Sequence, residues 1–103
     1  MNDSEFIQLT EAVFTRIQQG LENADLDFEQ PADGILEIEF DDGSKIVVNR
    51  HNAAREIWVA ARSGGFHFRH DGAAWRDTRD GTELFAKLTA LVAAQGGGTV
   101  SFG

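Results

Sequence analysis

Residues 25–29 read Asp-Leu-Asp-Phe-Glu, so in an extended chain Leu26 and Phe28 fall on one side and Asp25, Asp27 and Glu29 on the other. The run follows a helical segment on which Glu11, Gln18 and Glu22 recur at spacings of seven and four along one polar edge. Together they predict a ridge of acids along one edge of the molecule. Carboxylate oxygens are hard donors, suited to iron, manganese, magnesium or calcium rather than to soft metals. Donors spread along a surface do not make a cage, so a bound cation is expected to be held weakly, reversibly and in a salt-sensitive way. The same acids also fit a solvated face that steers a basic partner.

A second stretch, Asp42 to Ala61, carries a different kind of chemistry. Alternation places Ile57, Val59 and Ala61 on one side of a strand and Glu56, Trp58 and Ala60 on the other. The first set is apolar and is expected to face a core. Trp58 is left on the opposite face, where a large indole on a rigid sheet reads as a docking point.

Other chemistries are excluded or weak. There is no cysteine, which removes disulfides, thiolate catalysis and Cys-ligated metal centres within the chain. The serines, at positions 4, 44, 63 and 101, have no nucleophile-elbow pattern, and the Gly-rich pieces are turns and a tail rather than a phosphate loop. His67 and His70 are three apart near a strand end, and His51 is isolated, so no histidine pair shares a face as metal ligands would. Residues 1–42 hold twelve acids and one base, Arg16, whereas residues 43–103 hold five acids and eight bases. The acidic half argues against nucleic-acid binding and for cations or a basic partner. No apolar run approaches membrane-spanning length and the N-terminus lacks signal-peptide features, so the expected location is the cytoplasm, away from membranes.

The elements that must position these residues follow from periodicity. Residues 3–23 predict a helix, with Phe6, Leu9, Val13, Ile17 and Leu21 on one stripe, Asp3 or Ser4 as cap and Gly20 as a mild flaw. Strands are expected at 25–29, 35–41, 44–49, around Trp58, around Phe66 and Phe68, and at 74–77, with Pro31 and Gly34 breaking the chain and Asp42-Gly43 and Asp71-Gly72 turning it. Arg50 to Arg55 reads as a polar connection, and Trp75 as partly buried and structural. Residues 82–95 predict a second helix capped by Thr82 or Asp80, stopped by Gly96-Gly97-Gly98. The expected architecture is α+β: a two-layer sandwich with the N- and C-terminal helices on one face of an antiparallel sheet. A single domain over residues 1–95 and a loose tail over 96–103 complete the reading.

The opening MNDSEF, the DGSKIVVNR hairpin, the EIWVAARSGGFHF segment and the DG-T-ELFAKL helix resemble bacterial frataxins of the CyaY type, in the same order over nearly the whole chain. The resemblance implies the frataxin fold and a role in iron–sulfur cluster assembly. It implies ferrous and ferric iron bound on Glu11, Glu22, Asp25, Asp27 and Glu29, with Asp3 as a further ligand. It also implies a surface of Asn49, His51, Glu56, Trp58 and His67 that docks on a cysteine desulfurase and its scaffold protein and modulates their rate. Gln18 and Gln19 stand where many relatives carry acids, and Ile7 where some carry histidine, which implies weaker iron binding. Glu56 and His51 both replace glutamines. The expected protein is a monomer, with iron-dependent oligomers left open. No enclosed di-iron site is expected, so an enzyme is not, although the resemblance permits slow oxidation of ferrous iron. The alternative is a metal-independent interaction module whose acids only steer a basic partner.

Overall fold

Turn signals decide the topology. The structure is a computed structural model that describes all 103 residues. The chain runs α1 (Asp3–Asn23), β1 (Asp27–Ala32), β2 (Ile35–Glu39), β3 (Lys45–His51), β4 (Glu56–Ala61), β5 (Gly64–His70), β6 (Trp75–Asp77) and α2 (Leu84–Ala94). Short connections return each strand beside its predecessor, so the six strands pair antiparallel in sequence order. At the first hairpin Gly34 adopts φ +77°, and a Cβ there would lie 3.3 Å from the Arg50 side chain, so the position favours glycine twice over.

Inward residues of the sheet, among them Leu36, Ile38, Ile46, Val48, Ile57, Val59 and Phe68, pack with Phe6, Val13, Phe14, Ile17 and Leu21 of α1 and Leu84, Leu88, Leu91 and Val92 of α2 in one core. Both helices therefore lie on one sheet face, and the fold is the expected α+β sandwich. No helix is long and apolar enough to cross a membrane.

Several local expectations are corrected. The first strand starts at Asp27, not Asp25, and runs through Pro31 to Ala32. Asp25 has φ +57° and forms the corner out of α1, where the Leu26 N–H donates to Leu21 O at 2.9 Å. Pro31 is tolerated because β1 is an edge strand, and the β1–β2 register shifts between Glu29 and Ala32. The polar connection before Trp58 is shorter than expected, because β3 continues to His51. The α1 cap is Asn2, whose side chain accepts the Glu5 N–H at 2.8 Å while the Glu5 carboxylate accepts the Asn2 N–H at 3.4 Å. The α2 cap is Glu83, accepting from Phe85 N–H and Ala86 N–H at 2.9 and 3.1 Å. Trp75 is buried outright, edge-to-face with Phe6 at 6.1 Å.

Beyond residue 95 the chain still contributes packed side chains. Val100 and Phe102 are buried, Phe102 lies against Phe85 at 6.0 Å, and Arg16 sits over the Phe85 ring while donating to the Phe102 carbonyl. Gly20 is the recess that admits this segment: a Cβ there would stand 2.6 Å from Phe102 Cδ1 and 2.8 Å from Ser101 O. Gly to Ala inside a helix ordinarily stabilises by about 1 kcal/mol. Here Gly20→Ala is expected to lower the melting temperature, because it pushes the tail off α1. Deleting residues 99–103 removes two buried side chains, at about 2–3 kcal/mol, and is expected to lower Tm by about 10 °C or more. An unchanged melt in both variants would show that the tail contributes nothing to stability.

Candidate functional site

The outer face of the sheet carries the docking residues and the strand members of the acidic set, Asp27 and Glu29, whereas Asp3, Glu11 and Glu22 lie on α1 and Asp25 at the corner after it. Strand pairing sets Asp27 directly opposite Glu39 and Glu29 directly opposite Glu37, so like charges face each other twice on the β1–β2 ladder. Such pairs destabilise a sheet. The one base beside them, Lys45, lies 3.3 Å from Glu37 and 4.0 Å from Glu39 and offsets part of the repulsion. Asp25, Asp27, Glu39 and Asp41 line one cleft of about 120 Å³ next to Gly96 and Gly97. Glu39 and Asp41 were not among the residues singled out from sequence, and Glu37 was not either. The alternation of 35–39 shows Glu37 and Glu39 pointing outward, but only the β1–β2 register shows which acids they meet.

The other predicted ridge residues are more dispersed. Glu22 is exposed near the end of α1. Glu11 is exposed over a separate polar cleft with Gln18, Gln30, Asp33 and Arg50. Asp3 is ion-paired to Arg55 at 2.7 Å, far along α1 from the β1 acids. No three carboxylate or imidazole groups converge closely enough to hold a metal ion. What this arrangement offers is a field of hard oxygens whose repulsion Lys45 relieves only in part. Moderate salt and divalent cations are therefore expected to raise Tm, by screening and by mass action respectively. Glu29→Gln removes one like-charge pair without touching an ion pair, and should raise Tm by a few degrees (about 0.5 kcal/mol) while flattening the salt response. A melt insensitive to salt, cation and this substitution would mean the acids are too far apart to matter.

At the centre of the same face, register brings together four of the five predicted docking residues around the fifth. Asn49 and His67 stand directly opposite Trp58 on the two neighbouring strands, and His51 stands opposite Glu56. The half-buried indole is not bare. It is stacked between His51 at 3.7 Å, 15° from parallel, and His67 at 4.3 Å, 9° from parallel. The ring is half-buried and stacked on both sides, which corrects the expectation of a free indole on the outer face.

Glu56 is the anchor of this group. Its carboxylate is buried, accepts the Trp58 Nε1–H at 2.9 Å and the Arg69 Nη2–H at 2.6 Å, and lies 3.8 Å from His67 Nδ1. Burial works to raise the carboxyl pKa. The indole and guanidinium hydrogen bonds, with the charge of Arg69, outweigh it and hold the group below its ordinary value. Arg69 is thus a member of the site that sequence reading missed. It sits two positions from His67, on the same side of an alternating strand.

Comparisons with known proteins bear on the family and the fold. The model of the frataxin-like domain matches residues 1–98. A protein of Dechloromonas aromatica named iron–sulfur cluster assembly protein CyaY is 62% identical over 99 residues, covering 94% of each chain. A protein of the same name from a Janthinobacterium species is 50% identical over 103 residues, covering 94% of this chain and 92% of its own. Among solved structures, a frataxin from Psychromonas ingrahamii superposes with a TM-score of 0.92 at 33% identity, over 100% of this chain and 99% of that one. Sequence similarity and fold both extend over nearly the whole chain, and the chain belongs to the frataxin-like, CyaY family.

Proposed function

We propose that this protein takes part in iron–sulfur cluster assembly as an iron-binding regulator. Ferrous or ferric iron is its cargo, held loosely on the acidic ridge, and the Trp58 face docks on the cysteine desulfurase–scaffold complex, with the protein acting as iron donor or iron sensor. The relatives' names support the pathway. The structural observation that carries the reading is the register of β1 on β2, which sets two acidic residues opposite two others, Asp27 with Glu39 and Glu29 with Glu37. Repulsion there disfavours the fold, and a cation relieves it.

The two halves of the proposal are linked by charge. Free acids on the ridge steer a basic partner surface and speed its encounter. A bound cation cancels part of that field, so iron loading and docking rate oppose each other. The dispersal of the acids favours a second reading, a docking module whose ridge only steers and holds no metal. Titration of the isolated protein with ferrous iron, or a hard divalent surrogate, followed by NMR, separates them. Signals of Glu22, Asp25 and Asp27 are expected to move first. Selective movement of His51 or His67 with the acids silent would sink the ridge assignment.

A further inference from the structure

We propose that His51 and His67 form a proton-operated clamp on Trp58, which weakens docking through this face as pH falls; the proposal rests on the docking reading above. Both faces of the indole are covered by imidazole rings, at 3.7 and 4.3 Å and within 15° of parallel. Imidazole is the ordinary side chain whose charge changes between about pH 5 and 8. A neutral imidazole holds the indole by stacking. A protonated one adds attraction between a cation and the electron-rich ring face.

The two jaws are not equivalent. His51 Nδ1 accepts the Ala54 N–H at 3.1 Å, so a proton added at that nitrogen forfeits a hydrogen bond of the β3–β4 turn. His67 Nδ1 meets no such donor and lies 3.8 Å from the Glu56 carboxylate. His67 is therefore the jaw whose Nδ1 is free of a backbone donor, and His51 the fixed one. The charged groups facing the stack are Glu56 on β4 and Arg69 on β5, which are bonded to each other at 2.6 Å. Arg76 on β6 stands opposite Arg69, and Lys45, at the far end of β3, is the only other charge on that strand's outer side. Because Glu56 and Arg69 largely offset each other, a proton on His67 changes the net charge of the site.

A partner that takes up the indole must part the stack or bury an imidazole against itself. A neutral ring is moved or dehydrated at low cost. An imidazolium held by both the indole face and Glu56 resists more, and removing its charge from water is unfavourable. Docking is therefore expected to weaken about fivefold between about pH 8 and about pH 5.5.

The clamp is tested without a partner by Trp58 fluorescence, taken as wild type minus Trp58→Phe, which cancels Trp75 and its neighbour His70. Protonated imidazole quenches indole more strongly than the neutral ring, so the difference signal is expected to fall as pH drops. The fall should vanish in His67→Gln and persist in His51→Gln. The gate is then tested by titrating wild type and His67→Gln against the desulfurase–scaffold complex at both pH values, the variant accounting for the partner's own titration. A wild-type loss of about fivefold beyond that of the variant supports it. A flat difference signal, or one that titrates unchanged in His67→Gln, overturns the clamp. Equal pH response of wild type and variant docking overturns the gate while leaving docking standing. No docking by either protein at either pH overturns the docking reading itself, and the gate with it.

Discussion

Trp58→Ala is expected to weaken binding to the desulfurase–scaffold complex about 30-fold while lowering Tm by no more than about 5 °C. The first figure follows from the roughly 2 kcal/mol that truncating a tryptophan at an interface centre typically costs. The second follows from position. Trp58 is half-buried on the outer face, and its neighbours Ile57 and Val59 supply the core. Glu56 keeps Arg69 as a partner when the indole is gone. Truncating ridge acids is expected to act differently, slowing association and reducing its salt dependence, since charge steers the encounter more than it holds the complex. Thermal melts and equilibrium titration of the same preparation settle the matter. Normal docking by Trp58→Ala would remove the indole from the interface, and an unfolded variant would make it a core residue.

Trp75→Ala is expected to have the opposite profile. Trp75 is 4% exposed and packs edge-to-face on Phe6 and on the His70 ring at 5.1 Å. Emptying that volume should cost about 3–5 kcal/mol. A domain of this size has roughly 5–15 kcal/mol in hand, so Tm should fall by well over 10 °C. Docking measured on the fraction still folded should be unchanged. Chemical denaturation with the midpoint and slope both recorded checks this. A loss below about 1 kcal/mol would mean that α1 and β6 do not share the core contact that the Phe6–Trp75 pair describes.

The two tryptophans show how far residue order goes. For Trp58, alternation with Ile57 and Val59 was enough to choose the outer face, because the side chains of a strand alternate whatever surrounds them. Trp75 lies on a strand of three residues, Trp75–Asp77, too short for alternation to establish a face. Its burial depends on α1 arriving from the other end of the chain. The acids divide in the same way. Glu37 and Glu39 are outward by parity, yet their opposition to Glu29 and Asp27 is a matter of register, which the hairpin around Gly34 sets. Alternation places Asp25 on a strand, but the residue turns the corner out of α1 in a left-handed conformation, where strand parity has no meaning.

Helix periodicity, the Asp-Gly and Gly-Gly turns and the inward apolar residues are local properties. They depend on dihedral preferences and on neighbours a few positions away, and they led to the two-layer α+β sandwich and its antiparallel sheet. The stack of His51, Trp58 and His67 needs three strands in register and side chains in matching rotamers, and no spacing in the sequence encodes that. The tail is the extreme case. Gly20 looked like a weak point of α1 and Phe102 like part of a loose end, yet they fit together across 82 positions of chain, with Ser101 and Phe102 filling the space that glycine leaves. Contacts of that range depend on the packed volume of the finished core, and a reading that proceeds residue by residue does not see that volume.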